Sequence, residues 1–561
     1  MRRSTAAALL AILFLALFAR LLPLARFVYW GSDVGEYHRL TEQLVSANHL
    51  GTQYDGWGTT YPYFPGYYFV TGGGAMIGLD DEAVISIIPP LLNAFSVLLV
   101  FLIAAHLLRD ERAGLLAAGV LAVAMPYVYT NSHSIPSSLG SLFVLASLAL
   151  LVAPPTSRKT SLVMLLPLSA ALVVTHHLST YFLIIAVLMT LVLRSLLAAK
   201  ISLREVAVET VLIASLLLMA LPYWLLYATP FREGILSDLS AMPWWGPFVA
   251  LAVLLATWAG VVWLRRRSSW RFVPRFPGLK RSSAMLLAGL AFAFGITILF
   301  VFVSVFGTSI EVSPATALFL SPFLVLIAFA PSGRKFLDFA HGGHGPTAWL
   351  IAFILSIVAG AVIGATVLIP YRHIDFLMIP LAVMVGAGVA FLHDLAFAGR
   401  KRGMAVGVIV AAINVSNNPV AYPPPDIMAG YDEGTSSHSL VAMHWLPIHV
   451  EGLLAADHKA STLAFGFGDT DSTWDTARKT LLAPNFQAAS DEMRNVNSPS
   501  GLKRVDYVLV NSDMRAGSQL YPWEPAYAMS DGAQGKFDGL PYQRFFDDGY
   551  TQVYWVNWGL T

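Results

Sequence analysis

The sequence of 561 residues contains no cysteine, and only 12% of its residues are charged. The missing cysteine excludes a disulfide scaffold, a thiolate zinc site and a cysteine nucleophile, but it does not identify the cellular compartment. An average globular protein has about twice this share of charged residues, and 56% of the residues here are hydrophobic. The composition therefore excludes both an ordinary soluble protein and a disordered chain.

Charge is nearly balanced over the whole chain, with 35 Lys and Arg against 34 Asp and Glu, so no basic excess points to nucleic acid. The two parts of the chain nevertheless differ in net charge. Residues 417–561 carry 9 basic and 17 acidic residues, whereas residues 1–416 carry 26 and 17. We therefore predict a membrane domain over 1–416 and a soluble, mildly acidic domain over 417–561.

Long apolar runs dominate the first part, and a membrane-spanning helix needs about 20 mostly apolar residues. The first run follows two arginines, as in a signal peptide, but we predict that it is retained because no convincing cleavage site follows it. The last run is the shortest and the weakest prediction. The thirteen predicted spans are 5–27, 83–107, 113–130, 137–154, 161–177, 179–198, 206–228, 245–264, 283–306, 313–330, 347–369, 373–397 and 403–416.

Basic residues accumulate in alternate loops, with 21 on the side of the N-terminus and 5 among the opposite segments and helix ends. Because Lys and Arg are retained on the cytoplasmic side, we predict a multi-pass protein of the plasma membrane with a cytoplasmic N-terminus. Thirteen spans then place 417–561 outside the cell. Without the last span, that domain is expected in the cytoplasm.

The first outer loop, residues 28–82, is too polar to span and is dense in Tyr, Trp, Pro and Gly between 54 and 68. Aromatic rings favour the membrane interface, so we predict surface-lying elements there and a helix over 36–47. Asp33 directly follows the first span. A carboxylate at the membrane boundary is costly and tends to be functional, although a simple helix cap is an equal alternative.

Other polar residues occur where predicted spans end on the same side. Each alone is compatible with a structural role, such as a hydrogen-bonded histidine or an arginine that extends to the lipid headgroups. Together they favour a site, because carboxylates and imidazoles suit Mg²⁺ or Mn²⁺ and an arginine suits a phosphate. These residues are Asn131, His133, His176, His177, Glu311 and Arg372.

This arrangement of many spans, an acidic residue after the first span, a long first outer loop and a C-terminal outer domain resembles the GT-C superfamily of membrane glycosyltransferases. Its layout is most similar to the catalytic subunits of archaeal and bacterial oligosaccharyltransferases. The resemblance implies a polytopic α-helical membrane protein with a C-terminal extracytoplasmic α/β domain. It further implies a sugar carried on a polyprenyl phosphate and transferred to an extracytoplasmic protein, glycan or lipid acceptor.

The Trp-Trp-Asp motif of oligosaccharyltransferases is missing, because the single Trp-Trp pair, Trp244-Trp245, is followed by Gly246. This departure makes strict protein N-glycosylation doubtful and favours a different acceptor. No nucleotide-binding glycine loop is evident, which agrees with a lipid-linked donor. The expected reaction is a displacement at the anomeric carbon of the sugar.

Carried over by position, Asp33 matches the acidic residue of the family's first outer loop, and Glu36 is the second candidate for the acceptor base. The family's metal motifs place a divalent metal on Asp33, Asn131, His133 and Glu311. Asn131 stands at a position that is acidic or histidine in the family, and an amide is the weaker ligand. Metal dependence, with Mg²⁺ or Mn²⁺, is therefore an expectation that the sequence leaves open.

The donor and acceptor sides take further residues from the resemblance. Arg372 corresponds to a basic residue for the donor phosphate, with His176 and His177 beside it. Glu311 lies where the family has an acceptor-contacting motif, and Tyr63 of the aromatic segment is our second acceptor candidate.

The sequence pattern of residues 417–561 predicts a mixed α/β domain. We predict strands over 461–467, 505–510 and 551–556, a helix capped within 472–475 and ending near 482, and a turn at Asp547-Asp548-Gly549. The sequence shows neither a catalytic triad nor metal-ligand spacing here, so a lid or an acceptor platform is expected.

Two other classes of function remain as alternatives, a transporter or flippase and a non-catalytic scaffold. Transporters usually carry charges near the membrane midplane and internal repeats, whereas the polar residues here gather toward one face. The enzyme hypothesis requires Asp33, His133, Glu311 and Arg372 to converge on one outward cavity.

Overall fold

A computed structural model describes residues 2–154, 157–197, 203–238, 278–305, 308–340, 342–363, 370–396, 422–425, 427–521 and 524–560, with a few positions between 252 and 275 and residue 368. In these ranges a helical membrane part precedes an α/β domain. The α/β domain packs onto the first loop of the membrane part.

Seven helices in the described ranges are long and apolar enough to cross a membrane, and a pair bent by 56° makes an eighth if it is one span. The seven are Arg3–Ala25, Asp81–Leu108, His177–Leu197, Thr210–Tyr227, Lys280–Phe302, His344–Ala361 and Tyr371–Leu395. The bent pair is Glu111–Val123 with Met125–Ser132, and Pro136–Val152 and Thr160–Thr175 are shorter apolar helices.

These helices confirm a polytopic membrane protein, while the count of thirteen stays a prediction. The predicted spans at 245–264 (for most of its length) and 403–416 lie outside the described residues. The predicted span 313–330 is not one helix but Pro314–Phe319 and Ser321–Ile327, followed by Ala330–Leu337. Each piece begins with a proline in its first turn, where the ring fits but cannot continue a preceding helix.

The helix Tyr371–Ala396 forms the centre of the bundle, since 83% of its apolar window is buried against 11% for Lys280–Phe302. Its glycines allow close packing. A Cβ at Gly386 would lie 2.6 Å from the Ala117 nitrogen, and one at Gly388 would lie 2.2 Å from the Phe329 oxygen. The C-terminal half of this central helix is therefore in backbone contact with its neighbours.

A buried polar network crosses the bundle near the end of the first helix. Arg20 is 1% exposed, donates from Nε to Asn93 Oδ1 at 3.1 Å and lies 5.5 Å from the Tyr127 ring centre. The Asn93 amide in turn donates to Asn131 Oδ1 at 2.8 Å. Polar groups within the apolar layer need such partners, so the network holds three helices in register.

The first loop is ordered as β1 (Tyr29–Trp30), the helix Val34–Ala47, a 3₁₀ turn Tyr61–Tyr63 and the helix Gly66–Met76. The predicted helix over 36–47 is confirmed and begins two residues earlier. We refer to Val34–Ala47 as the first-loop helix.

The C-terminal domain contains a five-stranded mixed sheet in the order β4 (Ser472–Thr473), β3 (Leu453–Ala455), β7 (Val505–Asn511), β9 (Thr551–Val556) and β8 (Tyr542–Asp547). Its central strand β7 pairs in parallel with β3 and antiparallel with β9. The strands of the domain are β2 (Gly434–Thr435), β3 (Leu453–Ala455), β4 (Ser472–Thr473), β5 (Val496–Ser498), β6 (Gly501–Lys503), β7 (Val505–Asn511), β8 (Tyr542–Asp547) and β9 (Thr551–Val556). Its helices are Ser437–His449, His458–Gly466, Ala477–Leu482, Gln487–Met493, Ser512–Gly517 and Asp531–Gly535.

The predicted strand over 461–467 is wrong, because this segment lies in the helix His458–Gly466. Asp457 caps that helix by accepting the Ala460 N–H at 2.9 Å. Burial on all sides of residues 461–466 explains the error, since these residues are apolar or small without a helical period. We refer to His458–Gly466 as the docking helix.

The other predictions for this domain are confirmed, one of them with a different starting residue. The strands over 505–510 and 551–556 are confirmed as β7 and β9, and the Asp547-Asp548-Gly549 turn connects β8 to β9. The helix ending at Leu482 is confirmed, but it begins at Ala477, because residues 472–473 form β4 instead of a cap.

The C-terminal domain is joined to the first loop by a short strand pair and by two helices. In the strand pair, Tyr29 of β1 lies opposite Thr435 of β2. The first-loop helix crosses the docking helix so closely that a Cβ at Gly35 would lie 1.9 Å from the Thr462 oxygen. Arg39 and Asp469 add an ion pair at 2.6 Å. The domain therefore lies on the same side of the bundle as the first loop, whatever the course of 403–416.

Candidate active site

Asp33 lies at the junction of the membrane part and the C-terminal domain. It immediately precedes the first-loop helix, but its side chain makes no capping hydrogen bond. The alternative that Asp33 serves as a side-chain helix cap is therefore not supported. Its Oδ2 accepts from the Tyr61 hydroxyl at 3.3 Å, and its Oδ1 lies 3.3 Å from His458 Nε2. The carboxylate is 32% exposed, so it remains open to a ligand.

The C-terminal domain brings two more charged groups toward Asp33. Burial and the neighbouring Asp33 carboxylate raise the pKa of Glu433 above its ordinary value. Lys459 is 5% exposed and donates to the carbonyl oxygens of Asp432 and Gly434, each at 3.0 Å, which fixes the chain on both sides of Glu433. Our sequence analysis missed His458, Glu433 and Lys459. A signal was available for His458 and Lys459, because polar residues that follow a parallel strand such as β3 often line a site.

Arg372 approaches the same place from the start of the central helix. It is half-buried, and its Nε donates to the Tyr371 hydroxyl at 3.3 Å. Its charge acts on both Asp33 and Tyr61, so these three groups lie within electrostatic range of one another. The structure thus brings the predicted base and the predicted phosphate-binding residue together.

His176 and His177 also face Arg372, since both rings lie within electrostatic range of its guanidinium. His176 Nδ1 accepts the Ser179 N–H at 3.2 Å and lies 2.7 Å from the Ser179 hydroxyl. This hydrogen bond assigns the ring proton to Nε2, which is then a donor. The His177 ring packs 4.3 Å from the Phe231 ring, so its environment is more apolar.

Glu36 is engaged inside the first loop. It is 2% exposed and accepts from the Tyr54 hydroxyl at 2.6 Å, from the Gly58 N–H at 3.1 Å and from the Trp57 N–H at 3.3 Å. Burial raises the pKa of Glu36 to about 7, against the opposing effect of the Tyr54 hydrogen bond. The side chain holds the aromatic segment over the first-loop helix.

The two predicted acceptor residues lie in different surroundings. The Tyr63 carbonyl accepts from the Tyr223 hydroxyl. The centre of the Tyr63 ring lies 5.4 Å from the centre of the Tyr227 ring. Both partners belong to the π-helical turn Tyr223–Tyr227. Glu311 is exposed in the loop before Pro314–Phe319, and no contact within the described residues joins it to Asp33.

The residues do not fit the predicted metal. The Asn131 side chain is fully used, because Oδ1 accepts from Asn93 at 2.8 Å and from the Ser141 hydroxyl at 2.7 Å, while Nδ2 donates to the Tyr127 carbonyl at 2.9 Å. Across the described ranges, no group of three or more His, Asp or Glu side chains is arranged to hold a metal ion. We therefore derive no step through a metal.

His133 is nearer to the site. Its ring stacks on Trp30 with the ring centres 5.9 Å apart, and Asp33 lies within electrostatic range. Its buried Nε2 makes no hydrogen bond to the described part of the chain. Of the four residues that had to converge, His133 and Arg372 each lie within electrostatic range of Asp33, whereas no contact between described residues joins Glu311 to it.

Comparison with solved structures identifies the fold. The oligosaccharyltransferase of Archaeoglobus fulgidus tethered with an acceptor peptide is similar over 92% of this chain and 70% of that chain, with a TM-score of 0.60 and 14% identity. The archaeal oligosaccharyltransferase from the same organism, in complex with an inhibitory peptide and a dolichol-phosphate, has a TM-score of 0.55 and 13% identity over 91% of this chain and 70% of that chain. A mycobacterial arabinofuranosyltransferase has a TM-score of 0.49 and 13% identity over 99% of this chain and 42% of that chain.

No family model matches the sequence, and no curated protein matches it significantly. At these identities the similarity concerns the fold. The chain is an integral membrane protein with the fold of the GT-C glycosyltransferases.

Proposed function

We propose that this protein is a glycosyltransferase that moves a sugar from a polyprenyl-phosphate donor to an acceptor hydroxyl at the membrane surface. The observation that carries the proposal is that Asp33 accepts a hydrogen bond from Tyr61, and that Arg372, more than 300 residues later in the sequence, lies within electrostatic range of both. The similarity to an oligosaccharyltransferase whose complex contains a dolichol-phosphate supports the class of donor.

Asp33 is proposed as the base for the acceptor. Its carboxylate is partly exposed and held by two neighbours, so it has a fixed orientation and room for a substrate. The acceptor O–H bond breaks and its proton passes to Asp33, while the acceptor oxygen forms a bond to the anomeric carbon. The bond between that carbon and the phosphate oxygen breaks, and its electron pair leaves with the phosphate.

Arg372 is proposed to bind the donor phosphate. The leaving phosphate is stable as an anion, so it needs charge neutralisation more than it needs a proton. A guanidinium supplies two parallel N–H donors for this purpose, and His176, whose Nδ1 accepts from Ser179 and leaves the ring proton on Nε2, is proposed to add a third. The polyprenyl tail stays in the apolar layer beside the bundle, which explains a site at the membrane edge.

We further propose that the site faces the extracytoplasmic side. The excess of basic residues in the opposite loops supports this orientation. A hydroxyl acceptor is preferred over an asparagine amide because the Trp-Trp-Asp motif is missing from the sequence. The transporter alternative gains no support from the structures that resemble this chain.

Sugar transfer by purified protein tests the proposal. The donor is a pool of radiolabelled polyprenyl-phosphate sugars, and Asp33→Asn is compared with Asp55→Asn, which changes an exposed acidic residue of the same loop. We expect Asp33→Asn to lower kcat by about 10²–10⁴-fold, as loss of a general base does, while Asp55→Asn retains activity. Full activity of Asp33→Asn would contradict the assignment of the base.

A further inference from the structure

His458 is the one ring of the C-terminal domain that contacts Asp33 in the described structure. Its Nε2 lies 3.3 Å from Asp33 Oδ1, and its side chain is 15% exposed. Tyr61, from the membrane part, contacts the other carboxylate oxygen at 3.3 Å. Each oxygen of the proposed base is thus held by a different domain.

The position of His458 is itself fixed by several contacts. It is the first residue of the docking helix, whose cap Asp457 also accepts the Gln519 N–H at 3.0 Å. The His458 N–H donates to the Gln519 carbonyl at 2.8 Å. The ring lies edge-on to Trp474, with the centres 4.7 Å apart. The imidazole therefore meets Asp33 in a set orientation, not as a mobile surface group.

The backbone beside Asp33 depends on the same docking. The Thr462 hydroxyl of the docking helix donates to the Ser32 carbonyl at 2.7 Å, one residue before Asp33. A Cβ at Gly466 would lie 2.0 Å from the Gly35 carbonyl oxygen, so the two helices are in backbone contact. A shift of the domain would move both Asp33 and the ring that holds it.

We infer that His458 is a positioning residue for Asp33, and that the C-terminal domain completes the active site instead of only covering it. This inference rests on the function proposed above. An Nε2–H donor on Oδ1, together with the Tyr61 hydroxyl on Oδ2, fixes the plane of the carboxylate. One lone pair is then directed at the acceptor proton. Fixing a reacting group in this way matters because a misplacement of about 1 Å can lower a rate 10²-fold.

The test compares two replacements of similar size in the full-length protein. His458→Gln places an amide N–H near the position of Nε2, whereas His458→Leu fills the space without a donor. We expect His458→Leu to lower kcat about 10²-fold with little change in KM for the polyprenyl-phosphate sugar. His458→Gln is expected to recover most of that loss, and His444→Ala, an exposed histidine of the same domain, to match wild type.

Hydrogen–deuterium exchange over 34–47 is measured for each variant, so that loss of docking is seen separately from loss of the hydrogen bond. Wild-type kcat in His458→Leu overturns the inference. Equal losses in His458→Leu and His458→Gln with docking intact also overturn it, because a donor at Nε2 would then not be the property that matters. Asp33→Asn distinguishes the two proposals: if it is inactive while His458→Leu is fully active, the inference fails and the proposed function stands.

Discussion

The close contact between the first-loop helix and the docking helix makes Gly35→Ala a sharp test of the domain arrangement. The added Cβ would lie 1.9 Å from the Thr462 carbonyl oxygen, 2.4 Å from its carbon and 2.9 Å from the Leu463 nitrogen. Cβ atoms essentially never approach other heavy atoms within 3.0 Å. All three neighbours are backbone atoms, so relief requires the two helices to separate by about 1 Å.

Two consequences follow from that separation. Overpacking of this kind costs about 1–3 kcal/mol, which weakens the docking of the C-terminal domain. Because Asp33 and His458 lie on opposite sides of the contact, their distance also grows, and a displacement of about 1 Å is enough for a 10²-fold loss of rate. We expect Gly35→Ala to show faster hydrogen exchange over 34–47 and 458–466 together with a large fall in transfer.

Gly73→Ala is the matched control. Gly73 lies in the helix Gly66–Met76 of the same loop, and a Cβ there meets nothing within 4 Å. Alanine favours a helix over glycine by about 1 kcal/mol, so this variant is expected to be at least as stable as wild type. Equal exchange rates and equal activity in the two variants would refute the docking geometry described above.

Three further predictions concern single side chains. Because the pKa of Glu36 is raised from 4.5 to about 7, the unfolded chain loses this proton at a lower pH than the folded chain, and stability falls by about 3 kcal/mol as pH rises between those values. Glu36→Gln should flatten the Tm profile over that range, and an unchanged slope would contradict the burial effect. Arg372→Lys keeps the charge but loses the planar pair of donors. We therefore expect the KM for the donor to be about tenfold higher in Arg372→Lys than in the control variant Lys335→Arg. Asn131→Ala removes the buried oxygen that accepts from both Asn93 and Ser141 and should lower stability by about 1–3 kcal/mol, while EDTA leaves wild-type transfer unchanged; inhibition by EDTA would restore the metal hypothesis.

The membrane part was predictable because the bilayer imposes a simple rule on sequence. Backbone groups must be satisfied within each helix, so apolar runs mark the spans without knowledge of their neighbours. Asp33 and Arg372 could be selected as candidates for the same reason, since charged residues at the ends of such runs are conspicuous in the sequence. The divided segment 314–327 shows the limit of the rule, because Pro322 begins a new helix within an apolar run that the sequence analysis assigned to one span.

The remaining site depends on contacts that no local pattern contains. His458 reaches Asp33 only because two glycines, Gly35 and Gly466, allow two helices to touch. Asn131 sits at the expected position along the chain, but Asn93 and Ser141 from other helices occupy its amide. In both cases the chemical role of a residue is decided by neighbours that are distant in sequence.

The pairing of β1 with β2 places a condition on the synthesis of the protein. Tyr29 leaves the ribosome long before Thr435, its partner in the finished fold. At a rate of about 5–20 residues per second, roughly 20–80 s separate the two events. During that interval Asp33 is already at the membrane, yet neither the strand that anchors its loop nor His458 exists. A chain that terminates early therefore inserts its helices and carries the acidic residue, but it lacks the second half of the site.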